Sequence, residues 1–196
     1  MTPKQIERVR NKIARIRKEL AADKKYWGGY HHDGRGLRYL PPELFIKISD
    51  YKAGLRYLRW FDRTFSDDIG YPIFLFEWTI ILFKTGNMRE VEKKALQTFV
   101  SNTYLLDYFL EKELLEFDKW EGSNWDRTML TEFFDYSKSD PELIDFTEWL
   151  DCFMKSEKFN KIANEFIEIE KRLKHEEPGP VRSRLVNRSS GLLDNI

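Results

Sequence analysis

Residues 71–83 read Tyr-Pro-Ile-Phe-Leu-Phe-Glu-Trp-Thr-Ile-Ile-Leu-Phe, ten apolar side chains with Glu77 as the one charge. Such a segment has no face to turn toward water, so the chain must supply neighbours that enclose it on every side. Two conformations compete, since Ile73, Phe74, Phe76, Trp78, Ile80 and Ile81 also suit a pair of buried strands. Helix is the better reading: thirteen residues without a turn signal exceed a usual strand, and Gly86-Asn87 comes next as a helix stop. An all-α fold with this helix at its centre is expected.

The flanking sequence can build the enclosure from helices. Thr2-Pro3-Lys4-Gln5 has the spacing of a capping box with proline at the first helical position. The helix it opens is expected to run to about residue 25. Its apolar residues Ile6, Val9, Ile13, Ile16 and Leu20 form a narrow seam, while Lys4, Arg8, Arg10, Lys12, Arg15, Arg17 and Lys18 make the remainder basic. That seam needs a surface, either the chain's own or a second copy's. Residues 27–36 hold four glycines after Trp27 and read as a loop, and Pro41-Pro42 restarts the chain. A short helix over 43–48 leads through Ser49 and Asp50 into a longer one over 51–65. There Tyr51, Leu55, Leu58, Phe61 and Phe65 share one face, and Lys52, Arg56, Arg59 and Arg63 form a ladder of cations on another.

Beyond the central helix, further helices are predicted over 88–100, 103–120, 126–137, 141–154 and 157–175. Their expected caps are Asn102, Trp125 preceded by Asn124, Asp140 and Ser156. Leu143, Phe146, Leu150 and Phe153 repeat at helical spacing, as do Phe159, Ile162, Phe166, Ile169 and Leu173, with Glu168/Arg172 and Glu170/Lys174 placed as i,i+4 pairs. Residues 176–180, Glu-Glu-Pro-Gly-Pro, break the last long helix and leave a tail. The expected organisation is a basic helix and loop over 1–40, a helical domain over 41–175 and a tail over 176–196.

The formal net charge is zero, with 33 basic and 33 acidic side chains, but it is unevenly spread. By segment the charge is +7 over 1–40, +2 over 41–66, −10 over 67–150 and +1 over 151–196. The basic front can therefore meet its own acidic middle, a second copy's middle, or an outside anion. Cys152 is the single cysteine and cannot form an internal disulfide. No apolar leader follows Met1 and no run of about 18 apolar residues occurs, so a cytoplasmic protein without a membrane partner is expected.

No residue set stands out for catalysis. His31-His32-Asp33 are adjacent loop side chains that would not converge on one ion, and the remaining histidine, His175, lies near the other end of the chain. Gly34-Arg35-Gly36 lacks the Gly-Lys-Ser/Thr ending of a phosphate loop. Cys152 has no evident base and reads as a small buried hydrophobe. Glu111, Glu113, Glu116, Asp118 and Glu121 lack the Glu-x-x-His spacing of a helical metal site and read as a solvated acidic face. Trp120, Asn124 and Trp125 read as core and corner packing. The expectation is a protein that is not an enzyme and uses neither cofactor nor metal. The stronger signal is cations interleaved with aromatics: Arg35, Arg38, Tyr39, Arg56, Tyr57, Arg59, Trp60 and Arg63.

Leu75, Trp78, Leu82, Gly86 and Glu90-Val91 have the spacing of bulky, bulky and helix-breaking residues found in helix-pair repeats. Upstream, Gly54-Leu55-Arg56-Tyr57 through Phe65-Ser66-Asp67-Asp68 matches the second helix of such a unit and its exit loop. Over about residues 50–103 the chain resembles the tetratricopeptide-repeat family. It departs from the pattern in Val91 for alanine, Thr79 for glycine or alanine, and Ser66 where proline is common. The resemblance implies an irregular array of antiparallel helix pairs acting as a non-enzymatic interaction or adaptor module. The partner-binding surface is expected at Lys52, Arg56, Arg59 and Arg63, helped by Arg35 and Arg38, with a protein or peptide as partner. Two alternatives stay open: nucleic acid held by the basic first helix and the arginine ladder, and a homodimer formed through the Ile6 to Leu20 seam.

Overall fold

The computed structural model describes residues 1–114, 116–122, 124, 130 and 132–194. Among them there are α-helices, one 3-10 turn and no strand. The helices are α1 (Pro3–Tyr26), α2 (Pro41–Lys47), α3 (Tyr51–Thr64), α4 (Pro72–Lys84), α5 (Met88–Ser101), α6 (Leu105–Phe109), α7 (Ile144–Met154), α8 (Glu157–Leu173) and α9 (Pro180–Gly191), with the 3-10 turn at Leu37–Tyr39. The all-α expectation holds. The chain divides into two compact units, one of Met1–Gly70 with Glu77–Asn87, the other of Tyr71–Phe76 with Met88–Ile196.

In the first unit, α1 opens with the reciprocal cap: Gln5 N–H donates to Thr2 Oγ1 at 3.3 Å, and Thr2 N–H donates to Gln5 Oε1 at 2.7 Å. Ile13, Ile16 and Leu20 of its seam bury against Leu44 and Phe45 of α2 and Tyr57 of α3, with Val9 packed against the same cluster, so from Val9 onward the seam is occupied by the chain itself. Asp50 caps α3 by accepting from Ala53 N–H at 3.3 Å. The buried stripe of α3 is Gly54, Tyr57, Leu58 and Phe61, with Tyr51, Leu55 and Phe65 only half-buried. This corrects the expected face by a fraction of a turn, and the reason is Gly54, whose missing side chain admits Ile81 and Phe45.

In this unit α4 is buried from Glu77 to Leu82, with Phe83 and Lys84 half-buried at its end, and Phe61 and Trp78 meet edge to face at 6.0 Å. Gly86, at φ +75°, ends α4 in a Schellman turn: its N–H donates to Phe83 O at 2.9 Å and the Asn87 N–H to Leu82 O at 3.0 Å. The apolar segment is thus wound as a helix.

In the second unit, Phe76 near the start of α4 sits among Phe109, Phe134 and Phe146, with ring centroids 4.9, 5.1 and 5.6 Å away. Helix α5 packs on α8 through Phe99 against Phe159 and Phe166. Ser156 caps α8 as expected, accepting from Phe159 N–H at 3.2 Å. The tail docks through α9, which buries Leu185 against Ile169 and Leu173, and Arg182 donates to the carbonyls of Leu173 and Glu176, both at 2.6 Å, closing the end of α8.

The structure departs from four expectations in this unit. The helix predicted over 103–120 stops at Phe109, where Glu111 adopts a left-handed φ of 54° and Lys112 N–H closes on Asp107 O at 2.9 Å. The chain beyond Lys112 is drawn back by tertiary hydrogen bonds: Phe117 N–H donates to the Tyr104 hydroxyl at 3.0 Å, that hydroxyl donates to Phe117 O, and Asn124 bridges Thr103 and Phe117. The helix predicted over 126–137 has its start, and Trp125, outside the described residues, while residues 134–137 are not helical. Asp140 does not cap a helix; its carboxylate accepts from Ser137 N–H at 3.2 Å and α7 begins at Ile144. Cys152 is exposed, because the buried positions of α7 are Phe146, Leu150, Phe153 and Met154, and Cys152 falls between them.

Candidate functional site

The first unit carries 17 Lys and Arg against 10 Asp and Glu, and the second 16 against 23. Within the first unit, two groups of cations differ in whether carboxylates neutralise them.

Arg38 belongs to the neutralised group. Its Nε donates to Asp68 at 2.7 Å and its Nη1 to Asp33 at 3.1 Å, and its guanidinium lies 4.5 Å from the Tyr39 ring centre. Tyr39 OH donates to the same Asp68 oxygen at 2.6 Å, and Tyr57 OH donates to Arg38 O at 2.7 Å. Burial alone would raise the Asp68 carboxyl, but hydrogen bonds from Tyr39, Arg38 and the Gly70 N–H hold it below its ordinary value. Burial and the Asp68 hydrogen bond push the Tyr39 phenol up to about 12. Asp33, its side chain 2% exposed, also accepts from the Leu37 and Arg38 backbone N–H groups. This network pins the 3-10 turn to the chain after α3, and it spends Arg38 on structure. Arg35 faces solvent and pairs loosely with Glu19 at 3.4 Å.

The other group lines a groove of about 340 Å³ between α1 and α3. Helix α1 presents Arg10, Ile13, Ala14 and Arg17 to it, and α3 presents Ala53, Arg56, Tyr57 and Trp60. Both sets have the i, i+3, i+4, i+7 spacing of one helix face. Phe45, Ile48 and Asp50 complete the lining. Ala14 and Ala53 project one methyl each, which leaves the space between the helices unfilled. Arg10, Arg17 and Arg56 have no carboxylate within ion-pairing distance among the described residues. The one acid in the lining, Asp50, is engaged as the α3 cap. The site is therefore an apolar, aromatic floor under three uncompensated guanidinium forks.

Of the six expected site residues, Arg56 lines this groove. Lys52 and Arg63 are exposed on α3 but outside the lining, Arg59 is half-buried, and Arg35 and Arg38 lie in the segment between α1 and α2. The structure adds Arg10 and Arg17, which the sequence shows as two cations among many on α1. Their signal was the shared i, i+3, i+4, i+7 stripe, legible only once the packing side of α1 is known.

A more open depression of about 590 Å³ lies in the other unit beside Tyr108, Phe134 and Glu113. Two charges in its lining are already matched, Glu111 by Lys138 and Lys112 by Asp151, both at 2.9 Å. No group of three or more His, Cys, Asp or Glu side chains is placed to hold a metal among the described residues. His31 points inward against Trp60 and Phe65, and burial, then Lys24, lowers its pKa. No described helix is long and apolar enough to cross a membrane. Compared with family models, curated proteins and solved structures, the chain gives no significant match.

Proposed function

We propose that the protein is a non-enzymatic interaction module that captures an acidic segment of a partner protein in the groove between α1 and α3. The observation that carries this reading is the presence of three arginines without carboxylate partners around one apolar floor, in a unit where Arg15, Arg35 and Arg38 are matched. Unmatched guanidinium groups beside buried rings favour a ligand that brings carboxylates and an apolar anchor together. Steering by the basic unit raises the encounter rate, and the floor of Ile13, Phe45, Tyr57 and Trp60 provides the area that holds the anchor.

Selection of random displayed peptides on the intact protein tests this. The reading predicts enrichment of Asp and Glu around an aromatic or aliphatic position, and a loss of about tenfold or more in affinity of the selected peptides for Arg10→Glu and for Arg56→Glu. Selection of neutral sequences, or peptides indifferent to both substitutions, contradicts it.

A further inference from the structure

Helix α1 ends in a hydrogen-bonded loop that leaves three aromatic side chains in water: Tyr26 is 81% exposed, Trp27 48% and Tyr30 80%. The exposure is built in. Gly29 N–H donates to Lys24 O at 2.8 Å with Gly28 and Gly29 both at positive φ, and the Asp23 carboxylate accepts from His32 and Asp33 N–H at 2.8 and 3.2 Å. Trp27 packs edge to face on Tyr26 at 5.2 Å and tilts against His32 at 4.9 Å, so these three rings form one cluster at the tip, and the Tyr30 backbone N–H donates to Trp27 O at 3.4 Å beside it.

The helix leading to this tip presents Lys4, Arg8, Lys12, Lys18 and Lys25 to solvent, on the side away from its buried seam. None has an ion-pair partner among the described residues. Three of the four acids in residues 1–40 are already engaged: Glu19 by Arg15 and Arg35, Asp23 by the loop amides, and Asp33 by Arg38. The remaining one, Glu7, cannot neutralise the face. At 1.5 Å per residue, α1 makes a cationic track of roughly 36 Å that runs into an aromatic tip.

We propose that this face and its tip bind single-stranded nucleic acid. An acidic peptide would satisfy the lysines but has no need of three solvent-facing rings. A polyanion that also carries flat bases satisfies both features, with phosphates along α1 and bases stacked on Trp27 and Tyr30. A duplex keeps its bases stacked inside and offers the tip nothing, so the strand must be single. The surface is separate from the groove, which lies on the flank of α1 carrying Arg10 and Arg17.

The test is fluorescence anisotropy of labelled oligo(U) and oligo(dT) on the full chain, against a mixed-sequence duplex and against poly-glutamate. The proposal predicts strand binding that weakens steeply between about 50 and about 200 mM salt and that exceeds duplex binding. Trp27→Ala with Tyr30→Ala should cost about tenfold or more at fixed salt without changing the salt slope, whereas Lys18→Glu with Lys25→Glu should flatten that slope. Arg56→Glu should leave strand affinity unchanged, which separates this surface from the groove. No binding at the low salt, ring variants that bind like the parent, or poly-glutamate displacing labelled oligo(U) from the Arg56→Glu variant as well as unlabelled oligo(U) does each overturn it, the last by making an acidic protein the occupant of this face.

Discussion

Arg38 and Asp68 are thirty positions apart in sequence and 2.7 Å apart in space, and their pairing encloses Asp33 as well. Removing the guanidinium would leave Asp33, which is almost fully buried, with backbone donors alone. Arg38→Ala should therefore cost about 2 to 3 kcal/mol in denaturant unfolding, less than a fully buried pair because Arg38 keeps some exposure. The Asp68 carboxyl lies below its ordinary value of 3.8, so its contribution is complete above that value and is lost as pH falls through the lower folded-state pKa. Asp68→Asn should flatten the acid limb of the stability profile; an unchanged limb would show that the pairing contributes nothing.

Gly54 gives a prediction whose sign opposes helix propensity. Alanine in a mid-helix glycine position ordinarily gains about 1 kcal/mol. Here the added Cβ would lie 2.9 Å from Ile81 Cδ1 and 3.2 Å from Phe45 Cβ, and the second atom has little freedom to retreat. Overpacking of this kind costs about 1 to 3 kcal/mol, so Gly54→Ala should lower the urea midpoint. A raised midpoint would mean that α2 and α4 yield easily at this point.

Glu170 on α8 is 3% exposed, and its carboxyl is pushed up to about 7 by burial and by the neighbouring Glu121 carboxylate. Ser189 of α9 donates to it at 3.2 Å. An acid with a raised folded-state pKa binds more protons folded than unfolded, so stability should fall as pH rises from about 4.5 to about 7. Glu170→Gln should remove that slope and raise the melting temperature at pH 8, by an amount corresponding to about 1 to 2 kcal/mol. A slope that persists in the variant would assign it to other groups.

The features legible in the sequence were those that depend on near neighbours. Thr2 with Gln5, Ser156 before Phe159, and Gly86-Asn87 after α4 all signal helix ends through contacts within a few residues, and each stands where expected. Residues 110–120 were misread for the complementary reason. Glu-Lys-Glu-Leu-Leu-Glu favours helix locally, but Tyr104 and Asn124 hold Phe117 through bonds spanning thirteen and seven positions. Glu111 takes a left-handed turn with no glycine to announce it. Glu170, placed by its i,i+4 spacing to pair with Lys174, is buried with Ser189 of α9 against it, and Lys174 lies 3.8 Å from Asp118 instead. The groove was half legible: Arg56 was identified, while Arg10 and Arg17 needed the packing direction of α1, which depends on which side of its seam meets α2.

The groove is probed most directly by the indole N–H resonance of Trp60 in the isotopically labelled protein, titrated with a peptide that alternates glutamate with leucine and phenylalanine. Trp60 lines the groove together with Arg56, so capture of an acidic segment there predicts a saturable shift of its signal. That shift should be abolished in the Arg10→Glu, Arg56→Glu double variant while the variant keeps the parent's melting temperature. A Trp60 signal that stays in place at saturating peptide, or that moves equally in the double variant, would contradict the proposed function.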